Sequence, residues 1–289
     1  MTMTSMRFWI TLLSFFLFVP TQASEMVGAV SAGLGGTGRT AVQSSEAVFL
    51  NPASLALMEG YFFGAGYQSG FTEKDVSRNT YSVVVTDGTA GVPLPGSIGY
   101  RRHRISDRGT HWNENEFKMG AGYRLHPQVS LGLAGSYLDA EGPAGQGHQQ
   151  WNGDVGVLIG LTPNWGLSLN GENVIESKDD IPAALRRISR AALGTQYVHE
   201  RFLTLRYEWL APLYTENTQL FGHRFGLGMG LKSGFHLNVG YSVDDALAQN
   251  WSSAGLAWVG PRLKLAYSFQ NENRSGLGTR HLVDLWFDL

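Results

Sequence analysis

The residues of this chain whose types and spacing suit chemistry are few, and their surroundings decide what they can do. Gly33, Gly35 and Gly38 match a dinucleotide-binding fingerprint by letter, and Gly33 through Gly38, Arg39 and Thr40 match a phosphate-binding loop with arginine in the lysine position. Both motifs need a buried strand before the glycines and a phosphate-capping helix after them, within a parallel sheet. Here an apolar leader precedes them and an antiparallel pattern follows, so no nucleotide site is expected. The histidines, at 103, 111, 126, 148, 199, 223, 236 and 281, include no pair at metal-ligand spacing. Cysteine is absent, which excludes a disulfide scaffold, a thiol enzyme and a cysteine-bound zinc site. No serine, histidine and orienting polar group read as one constellation, so the chain reads as a non-enzyme with no metal and no cofactor.

What remains is charge on one face of a pattern. Lys118, Arg124, Asp154, Glu172, Arg206, Glu208, Arg224 and Lys264 fall on the polar faces of alternating segments, where opposite charges can pair across neighbouring strands or with a plug. Leu203, Leu205, Tyr207 and Trp209 alternate with Phe202, Thr204, Arg206 and Glu208; Phe225, Leu227, Met229 and Leu231 alternate with Arg224, Gly226, Gly228 and Gly230. A period of two with one bulky apolar face and one polar or glycine face marks strands between unlike environments. A soluble sandwich also alternates, but keeps large aromatics off its outside. Here Tyr61, Tyr67, Tyr81, Tyr100, Tyr123, Tyr137, Trp151, Trp165, Trp209, Tyr241, Trp251, Trp258 and Tyr267 recur near segment ends, as two interfacial girdles require.

The expected fold is therefore all-β: an antiparallel transmembrane β-barrel spanning 61–289. Segments lie near 61–70, 79–87, 96–104, 115–125, 127–138, 151–161, 164–174, 188–198, 201–210, 220–232, 234–243, 250–258, 261–270 and 279–289. That makes fourteen, an even number that brings both ends to the periplasmic side. Arg101, Arg102, His103 and Arg104, and Arg186, Arg187 and Arg190, interrupt two segments, which leaves twelve as the alternative count. With Gly88–Pro95, the first arginine group also makes the third strand the place to expect a gap in the wall. The longest loops are expected at Asp139–Gln150 and Glu176–Arg187, both solvated, the second with room for one helical turn. At the end, Val283, Leu285, Phe287 and Leu289 alternate with Asp284, Trp286 and Asp288, as a strand that closes against the first must.

Composition fits this class. The chain has 289 residues, 37 of them glycine, and 22 Lys+Arg against 24 Asp+Glu, a balance that gives no field for holding nucleic acid. Residues 1–23 carry Arg7, an apolar run from Phe8 to Val19, and Pro20-Thr21-Gln22-Ala23. This is the pattern of a secretory signal peptide cut after Ala23; an uncleaved anchor is the alternative, against which the short run argues. The expected location is the cell outer membrane, with outer-membrane lipid and the barrel assembly machinery as partners.

The segment 24–60 does not alternate. It runs Gly33-Leu34-Gly35-Gly36-Thr37-Gly38-Arg39-Thr40-Ala41, then Ser44-Ser45-Glu46-Ala47, then Val48-Phe49-Leu50-Asn51-Pro52-Ala53-Ser54-Leu55. Pro52 disfavours helix at Asn51, which predicts a short helix over Ala41–Leu50, with Ser44 or Ser45 available to cap it, and a second helical turn over Ala53–Met58. The plainer reading of Asn51-Pro52 is a turn ahead of the barrel. A lumen of fourteen strands is too wide for side chains to fill, so a hatch of this length has a place to go.

Those residues resemble the N-terminal hatch of the FadL-type hydrophobic-compound transporters and of the related PorV-like barrels. The resemblance covers about thirty residues and rests on the Asn-Pro-Ala element and its distance from the start; elsewhere it is architectural. It implies a fourteen-strand barrel plugged by 24–60, with Gly33, Gly35, Gly38, Arg39, Glu46, Phe49, Asn51, Pro52 and Ala53 as hatch and gating residues. It also implies passive passage of a hydrophobic or amphipathic small molecule. FadL-type proteins are usually much longer, with large external loops, which moves this chain toward the shorter PorV-like branch. There the implied function is a non-transporting barrel that anchors or partners secretion and surface attachment.

Overall fold

The computed structural model describes residues 28–71, 76–107, 109–142, 145–177, 181, 185–200, 202–214, 221–274 and 278–289. The predicted signal peptide lies outside them. Alternation becomes fourteen strands: β1 (Gly60–Phe71), β2 (Val76–Gly88), β3 (Gly96–Asp107), β4 (Thr110–His126), β5 (Val129–Glu141), β6 (Gly147–Thr162), β7 (Trp165–Glu172), β8 (Arg190–His199), β9 (Leu203–Pro212), β10 (Gly222–Gly230), β11 (Phe235–Asp244), β12 (Gln249–Val259), β13 (Leu263–Glu272) and β14 (Thr279–Asp288). Each pairs antiparallel with its sequence neighbours, and β14 closes the barrel on β1. The closing register runs from Phe62 opposite Asp288 to Phe71 opposite Thr279, and Leu289 N–H donates to the Tyr61 carbonyl at 2.9 Å. The count is fourteen, not twelve.

The outer face is a belt of apolar side chains such as Ile98, Met119, Leu133, Trp151, Leu169 and Leu193, the surface of an outer-membrane-type barrel. Cross-strand aromatic pairs brace it: Tyr67–Tyr81, Tyr100–Phe117 and Tyr137–Trp151 have ring centroids 5.1, 4.8 and 4.7 Å apart. Trp251 departs from the expected girdle. On β12 the odd residues face inward, and Trp251 is buried with the Arg280 guanidinium 3.8 Å over its ring.

Three further expectations change. The third strand leaves no gap: β3 pairs without interruption to β2 and to β4. Arg101 and His103 occupy inward positions as the alternation demands, and only Arg102 and Arg104 break the outward face, near the strand's outer end. Asp139–Gln150 is mostly strand, because β5 and β6 stay paired to Glu141 opposite Gly147, where polar residues above the bilayer cost nothing. The long loop after β7 is not wholly solvated: Ile181 and Leu185 are buried against inward-facing Ala140, beside Trp112, inside the outer mouth.

Residues 28–58 fill the lumen. They form helix α1 (Ala29–Gly33), a glycine-rich turn, helix α2 (Ala47–Leu50) and a 3₁₀ helix (Pro52–Leu57). The predicted Ala41–Leu50 helix shrinks to its last turn, and no serine caps it: the Ser44 and Ser45 hydroxyls are buried without a hydrogen-bond partner. Helix α1 is an addition to the expected pattern. α1 packs on β11–β14, α2 on β3 and β4, and the 3₁₀ helix on β4–β6.

What lets a backbone this close to the wall is glycine. On ten strands the inward residue at plug level is glycine, from Gly64 on β1 to Gly255 on β12, and each lies against a plug atom. A Cβ on Gly132 would fall 2.1 Å from the Ala53 nitrogen, and one on Gly240 would fall 2.0 Å from the Gly35 nitrogen. Such overlap is backbone on backbone and has no rotamer to relieve it.

Gly132→Val is expected to unseat the plug, raising leakage of small polar solutes through reconstituted protein while the barrel still migrates with heat-dependent mobility on gels. Gly135→Val, with nothing within 4 Å of its Cβ position, should change neither. Equal leakage in the two variants would refute the role given to the glycine wall.

Candidate functional site

The seam between plug and wall is built from the turn after α1. Gly35 and Gly36 have φ of +71° and +81°, a left-handed pair that side chains resist and that reverses the chain against β10–β12. The turn is pinned at each step: Gly35 N–H donates to Ser253 Oγ at 3.0 Å, and Gly38 and Arg39 N–H donate to Glu208 Oε1 at 2.6 and 2.7 Å. Ser253 Oγ in turn donates to the Gly33 carbonyl at 3.2 Å.

Arg39 is fully buried and its guanidinium is held from two strands, by Glu208 at 2.6 Å and by Glu172. The charges then run round the wall. Glu172 lies 3.8 Å from Arg190, Arg190 lies 3.2 Å from Asp244, and Arg224 lies 3.9 Å from Asp244. Arg224 closes the circuit by donating to the Gly36 carbonyl at 3.1 Å. The circuit therefore begins and ends on one plug turn. A buried ion pair gains net stability only when geometry and further hydrogen bonds offset desolvation, and the Gly38 and Arg39 amides supply those bonds.

The Asn-Pro-Ala element is the second anchor. Asn51 Nδ2 donates to the Arg39 carbonyl at 2.7 Å, tying the two halves of the plug together, and Asn51 Oδ1 accepts from Ala53 N–H at 3.0 Å. That second bond caps the 3₁₀ helix, with Pro52 at its first position, where a missing N–H costs nothing. The wall reaches in through Asn170, whose Nδ2 donates to the Leu50 carbonyl at 2.8 Å. Phe49 lies under the Arg101 guanidinium, 3.3 Å from its ring centroid.

Glu46 holds α1. It accepts from Ser31 Oγ and from Ser31 N–H, while Asp284 of β14 accepts from Ala29 N–H at 2.6 Å. Both carboxylates line one small cavity with Arg101 and Gly28. Burial pushes the Glu46 pKa up; the Ser31 hydrogen bonds and, from farther off, Arg206 and Arg101 pull the other way without cancelling it.

All nine predicted hatch residues thus lie in the plug, and all eight predicted charges have inward strand positions. Lys118 pairs with Asp154, and Arg206 donates to Gln196 Oε1 at 2.7 Å. Arg124 does not line the lumen: it is exposed at the periplasmic end of β4, where the register to β5 shifts. Lys264 also sits at that rim, 3.0 Å from Asp288. Sequence reasoning missed Ser31, Ser253, Asn170 and Asp284. Asn170, Ser253 and Asp284 are small polar residues on expected inward faces, where nothing in a two-residue period distinguishes a plug contact from lumen lining, and Ser31 lies in the plug helix α1 that no pattern marks.

Outward of the plug the lumen narrows to a cavity of about 50 Å³ lined by Arg101, His103, Glu116, Lys118, Asp154 and Arg187 among others. The opposite wall is different: Ala257, Ala266, Leu282 and Trp286 form an apolar strip, covered by Ala29, Val30, Ala32, Leu34 and Leu50 of the plug.

No protein-family model matches the chain, and no curated protein matches it in sequence. Solved structures share its fold. The Ralstonia pickettii toluene transporter TbuX is 11% identical with a TM-score of 0.69, over 92% of this chain and 99% of that one. The monoaromatic hydrocarbon channel CymD is 12% identical with a TM-score of 0.70, over 93% and 98%. A Pseudomonas aeruginosa FadL homologue is 10% identical with a TM-score of 0.59, over 91% and 98%. At such identities the likeness is one of fold, the FadL-type plugged barrel.

Arg39→Ala should weaken plug seating by about 3–5 kcal/mol, since it removes the plug cation that pairs with both Glu208 and Glu172 of the wall; hydrogen exchange of the 28–58 amides should accelerate while that of the wall does not. Unchanged exchange would show that the circuit does not hold the plug. For Glu46, a raised carboxyl pKa means that its contribution to seating is full below the ordinary carboxylate range and is lost as pH rises through the raised value. Exchange in α1 should be less protected, after correction for the intrinsic rate, at pH 8 than at pH 5, and Glu46→Gln should flatten that dependence. An unaltered pH profile in the variant would assign it to another group.

Proposed function

We propose that this protein is an outer-membrane channel through which hydrophobic or amphipathic small molecules pass when the plug shifts. The observation that carries the reading is the apolar strip on β12–β14. Elsewhere the wall meets the plug mainly through glycine, small polar groups and paired charges, with Val84 against Val48 and Phe49, whereas this strip offers a hydrophobic solute the same surface that α1 now covers. A solute can replace α1 with little change in buried apolar area, which is the balance a gate needs. Solved structures of the same fold, toluene transporters and a monoaromatic hydrocarbon channel among them, support this substrate class. Delivery by a signal peptide cut after Ala23, and insertion by the barrel assembly machinery, belong to the same proposal.

A second reading is favoured by the outer side: a small charged cavity above the plug, with Ile181 and Leu185 buried against Ala140 in the mouth, suits a non-transporting barrel serving secretion or surface attachment. One experiment separates them. In cells with a lipopolysaccharide-bearing outer membrane, expression should raise uptake of a monoaromatic hydrocarbon or a long-chain amphiphile several-fold, and Trp286→Arg, which charges the strip, should remove the gain. Deleting Gly33–Pro52 should make reconstituted protein leak small polar solutes. Uptake identical with and without the protein would favour the second reading, and no added leakage on deletion would remove the hatch role.

A further inference from the structure

A groove of about 900 Å³ crosses the outer wall over β7–β11, on the lipid side of the barrel. Cross-strand register shows how it forms. A lower row of outward side chains runs from Trp165, the first residue of β7, to Val239 on β11, and an upper row runs through Phe225 to Tyr241. Between the rows lie inward-facing positions, and on β10 and β11 these are Gly226 and Gly240, directly paired. The two rows make the walls and this backbone makes the floor.

Two properties separate this groove from the general apolar belt. Its floor is backed by the plug: Leu34 and Thr37 lie directly behind Gly226, and Gly35 directly behind Gly240, so the floor cannot flex inward. Several of its polar tips are also engaged: Trp165 Nε1 donates to Thr195 Oγ1 at 2.7 Å and the Tyr207 hydroxyl pairs with His223 Nδ1 at 2.8 Å. What the groove presents is shaped hydrocarbon, which suits an alkyl chain better than a ligand needing hydrogen bonds. It starts at the periplasmic end of β7, and the turn joining β10 to β11 below it carries exposed Lys232, a cation at headgroup height.

We propose that this groove seats one acyl chain of a periplasmic-leaflet phospholipid, with Lys232 as the cation for its phosphate. Being formed by the lipid-facing wall, the site stands whether or not the lumen conducts.

The test is native mass spectrometry of full-length protein extracted from outer membranes in a mild detergent. One phospholipid should remain bound per barrel. Val239→Trp, which fills the groove, should lower the retained fraction about tenfold, the change expected from losing contact with about two methylenes, and Lys232→Glu should lower it as well. Leu256→Trp, on the lipid face of β12 outside the groove, should leave it unchanged, and heat-dependent gel mobility certifies that each variant is folded. Absence of bound lipid, equal retention in Val239→Trp, retention of lipid A instead of phospholipid, or a dimer in place of a lipid adduct would each overturn the assignment.

Discussion

The structure depends on a backbone lying against a backbone. A barrel of fourteen strands encloses more space than inward side chains can fill, and the plug that fills it brings carbonyl and amide groups to the wall. Those groups reach it because the wall at that level lacks Cβ atoms on ten strands. Glycine in a strand interior is ordinarily destabilising. Here the loss is offset by packing across the seam, and ten of the chain's 37 glycines are the footprint of the plug on the wall.

Close approach also sets the electrostatics. With water excluded at the seam, a charge must find its partner from the other side. Arg39 of the plug is met by Glu172 and Glu208 of the wall, and Arg224 of the wall by the Gly36 carbonyl. The circuit makes plug and wall one unit on the β7–β11 side. On the β12–β14 side contact is largely apolar, with neutral hydrogen bonds between Ser253 and both Gly33 and Gly35 and from Gln270 to Ala32, and one from Ala29 N–H to Asp284. A plug fastened by charge along one side and by hydrocarbon along the other has an uneven resistance to displacement: the apolar side can exchange one hydrophobic partner for another, whereas the charged side would leave ions stranded.

Much of this was legible in the chain. The fourteen strands, the closure of the last on the first and the inward parity of all eight charges follow from a period of two; the placing of the Asn-Pro-Ala segment in the lumen follows from its resemblance to the FadL-type hatch and from a lumen too wide for side chains to fill. The misses have physical causes. Arg101 and His103 looked like interruptions because they are charged, yet they obey the alternation and only their outward neighbours break it. Trp251 looked like a girdle residue because aromatics favour interfaces, but the parity of β12 turns it inward onto Arg280. Ile181 and Leu185 looked like loop residues because their segment is polar, but the mouth of the barrel gave them Ala140 to pack against.

The sequence by itself determined which face each strand residue occupies, because alternation is a local property that every residue reports. It also determined that one segment could not be a strand. Only the tertiary structure decided which of the inward residues meet. Arg39 and Glu208 are 169 positions apart, and Ala29 and Asp284 are 255 apart. Nothing local distinguishes an inward glutamate facing water from one that holds an arginine of the plug. That difference arises when the barrel closes and sets the height at which the plug rests.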